Sequence, residues 1–216
     1  MAVTIDLVRH ATSTWVKEAS ASPVPLFGGR MDNIPLADPE GRDEAAELGR
    51  YGCRNGIRPT LVVSSTARRA LQTYQFSAPE LRCRLVAVRD RRLVEMSWGR
   101  WTGQPWSIAS TDTVKQAKAR LGFGFTPPAG ESFDTVRARV MKSILEHAQN
   151  APDGSHIWMY THRNAIKAVV RQWMSEWTPA NISAAALDVA SLTRLRYERG
   201  RLSLVFFNQP TLSGLR

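Results

Sequence analysis

Cysteine is nearly absent from this chain, and with it any fold that depends on cysteine. Only Cys53 and Cys83 occur in 216 residues. They form no Cys-x-x-Cys pair, and no histidine stands at metal-ligand spacing from them. Neither a disulfide scaffold nor a zinc site is expected, and the two read as reduced, structural thiols. Long apolar runs are also missing, since none approaches the ~18–20 residues of a membrane span. The opening residues Met1-Ala2-Val3-Thr4-Ile5-Asp6-Leu7-Val8 lack the basic lead and apolar stretch of a signal peptide, so a cytoplasmic protein is expected. Acid is scarce relative to base: 19 Asp and Glu stand against 29 Lys and Arg, for a net charge of +10 and a pI near 10.4. Such an excess attracts anions. The arginines are dispersed (Arg42, Arg50, Arg54, Arg58, Arg120, Arg137, Arg171), and the densest group runs from Arg82 and Arg84 through Arg89, Arg91 and Arg92. Nucleic-acid binding needs a clustered basic face with aromatic stacking, so the dispersal points away from it.

What is there reads as an ordinary globular chain. The hydrophobic fraction is 43% and the charged fraction 22%, close to the globular average. The length suits one domain, 1–216, with a sizeable core. Val3 to Val8 reads as a buried strand, followed by an irregular segment from Thr12 to Asp38. A helix is expected from Pro39 to Tyr51 with Asp38 as its cap. A strand follows at Leu61 to Ser65, then a helix from Ala67 to Phe76 capped by Thr66, then a short strand at Leu85 to Val88. The insert from Gly99 to Gly130 is irregular to helical. Ser132 to Gln149 has helical period, with Phe133, Val136, Val140, Ile144 and Leu145 on one face. A strand at Ile157 to Tyr160, a helix from Asn164 to Trp177 and a hairpin of Ala190 to Tyr197 with Leu202 to Phe207 complete the pattern. Alternation of this kind implies a three-layer α/β/α sandwich with a mostly parallel central sheet. Ligands then bind beyond the C-terminal ends of the strands.

The polar residues at those ends are Arg9-His10, Ser64-Ser65 with Arg69, and Thr161-His162. His10 ends a buried strand, follows an arginine and precedes the small residues Ala11-Thr12-Ser13-Thr14, which leave room for a ligand. A neutral imidazole is a good nucleophile, and a guanidinium beside it clamps an oxyanion. His147, late in a helix, and His156, entering a strand from a turn, read as surface residues. Arg9, Arg69, His10 and His162 together make a phosphate-sized positive pocket, and Glu95 offers a carboxyl for general acid work.

Those residues lie in blocks that resemble the histidine phosphatase superfamily, the phosphoglycerate-mutase-like fold. Leu7-Val8-Arg9-His10 matches the Arg-His signature. Ser64 to Thr73 matches Ser-Ser-Pro-Leu-x-Arg-Ala-x-Gln-Thr and places the phosphate-binding arginine at Arg69 rather than Arg68. Leu93 to Gly103 matches the block whose glutamate, here Glu95, donates a proton. Gly130-Glu131-Ser132 and Thr161-His162 match two further blocks, and Phe27-Gly28-Gly29-Arg30-Met31-Asp32 fits the first loop. The blocks come in family order over nearly the whole chain. The resemblance implies in-line attack by His10 on phosphorus. Arg9, Arg69 and a protonated His162 would neutralise the equatorial oxygens, Glu95 would serve as acid and then base, and no metal or other cofactor would be needed.

The chain departs from the pattern in places. Ala11 and Thr12 replace the usual Gly and Glu or Gln. Val16 stands where an asparagine is usual, leaving Ser13 or Thr14 to supply a polar phosphate contact. Arg163-Asn164 replaces Gly-Gly after the second histidine. Ser13, Arg30 and Arg163 are therefore the expected substrate-binding residues, Arg163 as a second anion contact at the pocket mouth or as a solvated surface arginine. Trp101 reads as packing, while Trp106 is free to line the pocket. The reading is a phosphatase acting on a small phosphorylated metabolite, with no nucleic-acid or membrane partner. The alternatives are a phosphoglycerate mutase and a non-catalytic basic module that binds phosphoanions. Such mutases usually carry a longer insert before Gly-Glu-Ser, whereas the segment from Gly103 to Gly130 is compact.

Overall fold

The structure, a computed structural model, describes residues 2–212. Its strands are β1 (Ala2–Arg9), β2 (Leu61–Ser64), β3 (Val88–Arg89), β4 (His156–Thr161), β5 (Leu192–Glu198) and β6 (Arg201–Gln209). They form one sheet in the order β3-β2-β4-β1-β5-β6. β3, β2, β4 and β1 run parallel, while β5 is antiparallel to both β1 and β6. The expected layered fold with a mostly parallel sheet is what the chain adopts.

Alternation along the strands divides the core in two, because successive side chains point to opposite faces. Val3, Ile5 and Leu7 of β1 and Ile157 and Met159 of β4 pack with residues of α5 (Phe133–Asn150) and α6 (Arg163–Val170). Val8 of β1 and Trp158 and Tyr160 of β4 pack on the other face with residues of α2 (Glu40–Arg54) and α3 (Arg68–Ser77). Asp6 shares that second face and is fully buried. Its carboxylate accepts from Arg194 Nε and Nη2 at 2.8 and 2.9 Å and from Trp158 Nε1 at 3.0 Å, and lies 2.7 Å from His156 Nε2. His156 is thus no surface residue but a partner of a buried acid. His147 too is largely covered, 3.5 Å from Asp90.

Several elements differ from the sequence reading. The segment expected to be irregular contains α1 (Thr14–Ala21), capped by Ser13, whose Oγ accepts from Val16 N at 3.3 Å. It buries none of its residues, so it carries no apolar stripe to read. The cap of α2 is Pro39, not Asp38, whose carboxylate accepts from Arg42 instead. The cap of α3 is Ala67, not Thr66, and Ser65 Oγ accepts from Ala67 N. The strand expected at Leu85 shrinks to Val88–Arg89, because the residues before it face solvent, Val86 at 89% exposure. α6 stops at Val170, and Trp173 and Trp177 reach the core from a 3-10 turn and the segment after it. α4 (Asp112–Leu121) lies in the Gly99 to Gly130 insert.

Register brings the functional strand ends level. Val8 pairs with Tyr160 and Tyr160 with Ser64, so Arg9-His10, Thr161-His162 and Ser65 emerge side by side.

Candidate active site

Where those strand ends emerge, a cavity of about 680 Å³ opens, its wall including Arg9, His10, Arg69, Glu95, Trp106 and Arg163. His10 is 4% exposed, and its Nδ1 lies 2.7 Å from Ala11 O. A carbonyl only accepts, so Nδ1 carries the proton. Nε2 keeps its lone pair and accepts from Arg69 Nε at 3.2 Å. Burial, then the charges of Arg69 and Arg9, push the His10 pKa well below the ordinary histidine value. The imidazole is therefore neutral at physiological pH, with a free nitrogen directed at a guanidinium.

Arg69 is fixed from both ends. Its Nη1 donates to Met31 O at 2.5 Å, and Thr73 Oγ1 donates to its carbonyl while accepting from Ala11 N. Arg9 Nη1 donates to Leu187 O, and Arg9 Nε has no partner among the described residues. His162 is fully buried behind His10, with ring centroids 5.2 Å apart and Nε2 2.8 Å from Ser65 Oγ. Its pKa is lowered by burial, then by Arg69. Burial thus disfavours the protonated His162 that the resemblance implies. Its Nδ1 is buried with no partner among the described residues.

Glu95 sits against the start of α6. Oε1 accepts from Met96 N at 2.7 Å and from Asn164 N at 3.2 Å, while Oε2 has only a 3.3 Å contact from Asn164 N. Oε2 is the freer oxygen. The backbone carrying Glu95 is itself clamped. Arg139 of α5 donates to the carbonyls of Arg92, Val94 and Glu95, and Glu131 bridges Arg139, Arg30 and Ser97 N. A tight turn completes the clamp: Gly99 has φ +55°, and a Cβ there would lie 2.2 Å from Pro128 O.

The remaining expected residues divide. Ser13 lines the cavity, its Oγ already the cap of α1. Val16 presents an apolar wall where a polar group is usual. Trp106 lines the cavity and Trp101 is core. Arg163 lines it too and donates to Ala185 O at 3.0 Å, so it is no solvated surface arginine. Arg30 does not line the cavity. Its guanidinium is held by Glu131 and the Glu95 carbonyl. Cys53 and Cys83 are both free. Among the described residues, no group of His, Cys, Asp and Glu is arranged to hold a metal ion.

Sequence reasoning put Ser65 at a functional strand end without a role, and missed Glu44 and Lys167. Ser65 orients His162. Glu44 accepts from Thr12 N at 2.6 Å and Thr12 Oγ1 at 2.9 Å beneath the cavity. Lys167 is fully buried and donates to Ile182 O and Ser183 O. A lysine amid Ala165, Ile166, Ala168 and Val169 was a readable signal, whereas the other two contacts span the fold.

Comparison with known proteins agrees with this layout. The profile of the histidine phosphatase superfamily (branch 1) matches residues 5–210. A protein of Mycobacterium tuberculosis named as bifunctional is 30% identical over 193 residues, 88% of this chain and 48% of that protein. The chain spans about half the length of the first curated relatives it matches. A 2,3-bisphosphoglycerate-dependent phosphoglycerate mutase of Thermobifida fusca is 34% identical over 102 residues, 47% of this chain and 38% of that protein. In fold, a native mycobacterial glucosyl-3-phosphoglycerate phosphatase superposes with a TM-score of 0.74 at 23% identity, covering 97% of this chain and 100% of that one. A phosphoserine phosphatase of Entamoeba histolytica gives a TM-score of 0.77 at 21% identity, with 97% and 98% covered. With its Arg-His strand end, paired histidines and clamped glutamate, and with a profile match over nearly its full length, this chain belongs to the histidine phosphatase superfamily, branch 1.

Proposed function

We propose that this chain hydrolyses a small phosphomonoester through a phosphohistidine at His10. One observation carries the reading: His10 lines the cavity, with Nδ1 2.7 Å from the Ala11 carbonyl and Nε2 3.2 Å from Arg69 Nε. As Arg69 Nε leaves Nε2 for a phosphoryl oxygen, the freed lone pair attacks phosphorus in line, and the bond from phosphorus to the ester oxygen breaks. Arg9 and Arg69 hold the phosphoryl oxygens, where charge stabilisation contributes most. The dianion beside His162 favours protonation of that ring, giving its unpartnered Nδ1 a role as donor. Glu95 hands a proton to the departing oxygen, so the first step yields an alcohol and an N–P bond. Water then attacks phosphorus, Glu95 takes its proton, the N–P electrons return to Nε2, and inorganic phosphate leaves.

The test is turnover of a phosphoester panel by the wild type and by His10→Ala. The variant should remain folded and lose at least about 10³-fold in kcat. Label from a radioactive phosphoester, quenched in alkali, should appear on His10 in the wild type only. Substantial turnover by His10→Ala would overturn the assignment. Given phosphoglycerate, the protein should release phosphate faster than it isomerises the substrate. Isomerisation that depends on a bisphosphate primer and outpaces phosphate release would make it a mutase.

A further inference from the structure

We propose that the cavity holds a second anion subsite at Arg163, so that the substrate carries a carboxylate or a second phosphoryl group on its leaving-group side. The inference rests on the hydrolase reading for where the leaving group lies.

Arg163 differs from the part-buried arginines that hold carboxylates. Arg92, Arg139, Arg194 and Arg30 are all paired with carboxylates. Arg163 has no carboxylate in ion-pair contact among the described residues. Its Nη2 donates to Ala185 O, and its Nε is buried with no partner among the described residues. The acids around the cavity are occupied elsewhere. Glu44 takes both donors of Thr12, Asp188 accepts from Asn208 Nδ2, and Glu95 takes backbone N–H groups. A half-buried guanidinium with an unused donor on a cavity wall, near the Glu95 charge but with no carboxylate in contact among the described residues, is a site for an anion.

Position decides which anion. Arg9 and Arg69 flank His10 and serve the transferring phosphoryl group. Arg163 directly precedes Asn164, whose N–H holds the Glu95 carboxylate. Glu95 meets the departing oxygen, so the substrate beyond that oxygen extends to the side where Arg163 lies. A fixed positive charge there selects a leaving group with a negative charge of its own. Glycine, usual at this position in the family pattern, offers no such contact.

The obvious competitor is a purely structural role, with Arg163 tying Ala185 to α6. Binding separates the two. Affinities for glycerol phosphate, phosphoglycerate and a glycerol bisphosphate are measured by calorimetry in the His10→Ala protein, where no turnover intervenes. Arg163→Gly and Arg163→Met are then compared in the same background. The arginine-containing protein should bind the two substrates with an anionic tail at least about tenfold more tightly than glycerol phosphate, or ~1.4 kcal/mol. Both variants should lose that preference while binding glycerol phosphate within about twofold of the parent, and added salt should shrink it. The carboxylate and phosphate arms show which tail is preferred. No preference, a preference that survives both variants, or equal weakening toward all three ligands would overturn the subsite. Failure of the hydrolase reading looks different: wild-type protein without turnover and without label on His10.

Discussion

Lys167 occupies a place in α6 that packing alone would give to an aliphatic side chain. Its amine is fully buried and donates to Ile182 O and Ser183 O, so it pins the segment that forms one wall of the cavity. Burial first, then the charge of Arg163, bring its pKa down from 10.5 to about 6. The unfolded chain keeps that proton up to about pH 10.5, and the folded one loses it near pH 6. Between those limits the unfolded state binds more protons, so stability rises with pH, by up to ~1.4 kcal/mol per unit for one proton. Below pH 6 both states are protonated and this dependence ends. Lys167→Met should therefore flatten the rise in the urea midpoint across that window. Identical slopes for variant and wild type would show that the lysine titrates normally. The other single residues differ in how legible they were. Arg9, His10, Arg69, Glu95 and His162 announce themselves because strand ends and a motif fix their direction. Arg30 does not: a loop block gives its position but not which way its guanidinium turns, and Glu131 decides that from a distant part of the chain.

α5 shows how one helix can serve a site it does not line. Ser132 starts it, with Oγ accepting from Thr135 N at 3.0 Å, and Arg139 on its second turn holds the backbone of Glu95. Loss of that cap in Ser132→Ala should cost about 1 kcal/mol, read as a fall in Tm of roughly 2–4 °C for a chain of this size. An unchanged Tm would mean that packing alone holds the helix start. This element was legible in sequence because the cap, the period and the apolar stripe coincide. α2 was legible from Pro39 at its start, though Asp38 misled as to its cap. α1 was not, since it buries no residue, and β3 was misplaced because a two-residue edge strand with exposed side chains carries no pattern. Elements whose identity lies in apolar burial are readable, and those held by caps or edges alone are not.

The sheet as a whole is cross-tied by Asp6. Its carboxylate on β1 meets His156 and Trp158 on β4 and Arg194 on β5, so one buried charge joins adjacent strands. Burial alone would raise its pKa, but the bonds from Arg194 and His156 outweigh it and hold the pKa below the ordinary aspartate value. Asp6→Asn keeps the shape and removes the charge, leaving Arg194 and His156 without their counter-ion. Breaking a buried pair from one side costs about 3–5 kcal/mol. The urea midpoint should fall accordingly, while kcat of the remaining folded protein stays near wild type. A loss of kcat without a loss of stability would place Asp6 in the chemistry, against its position in the middle of β1, four residues before His10.

Asp6 also has a bearing on assembly. Asp6 and Val8 share a parity along β1 that His10, just past its end, continues, so the acid and the imidazole are marked by the same two-residue beat. A slip of β1 by one residue against β4 would carry the carboxylate into the apolar layer packed by Ile5 and Leu7, where nothing answers its charge. The same slip would swing the imidazole away from Arg69. Asp6 thus proofreads the pairing of β1: a misthreaded sheet is penalised some 13 Å from the reaction centre (four residues at ~3.3 Å each), before any substrate could report the error.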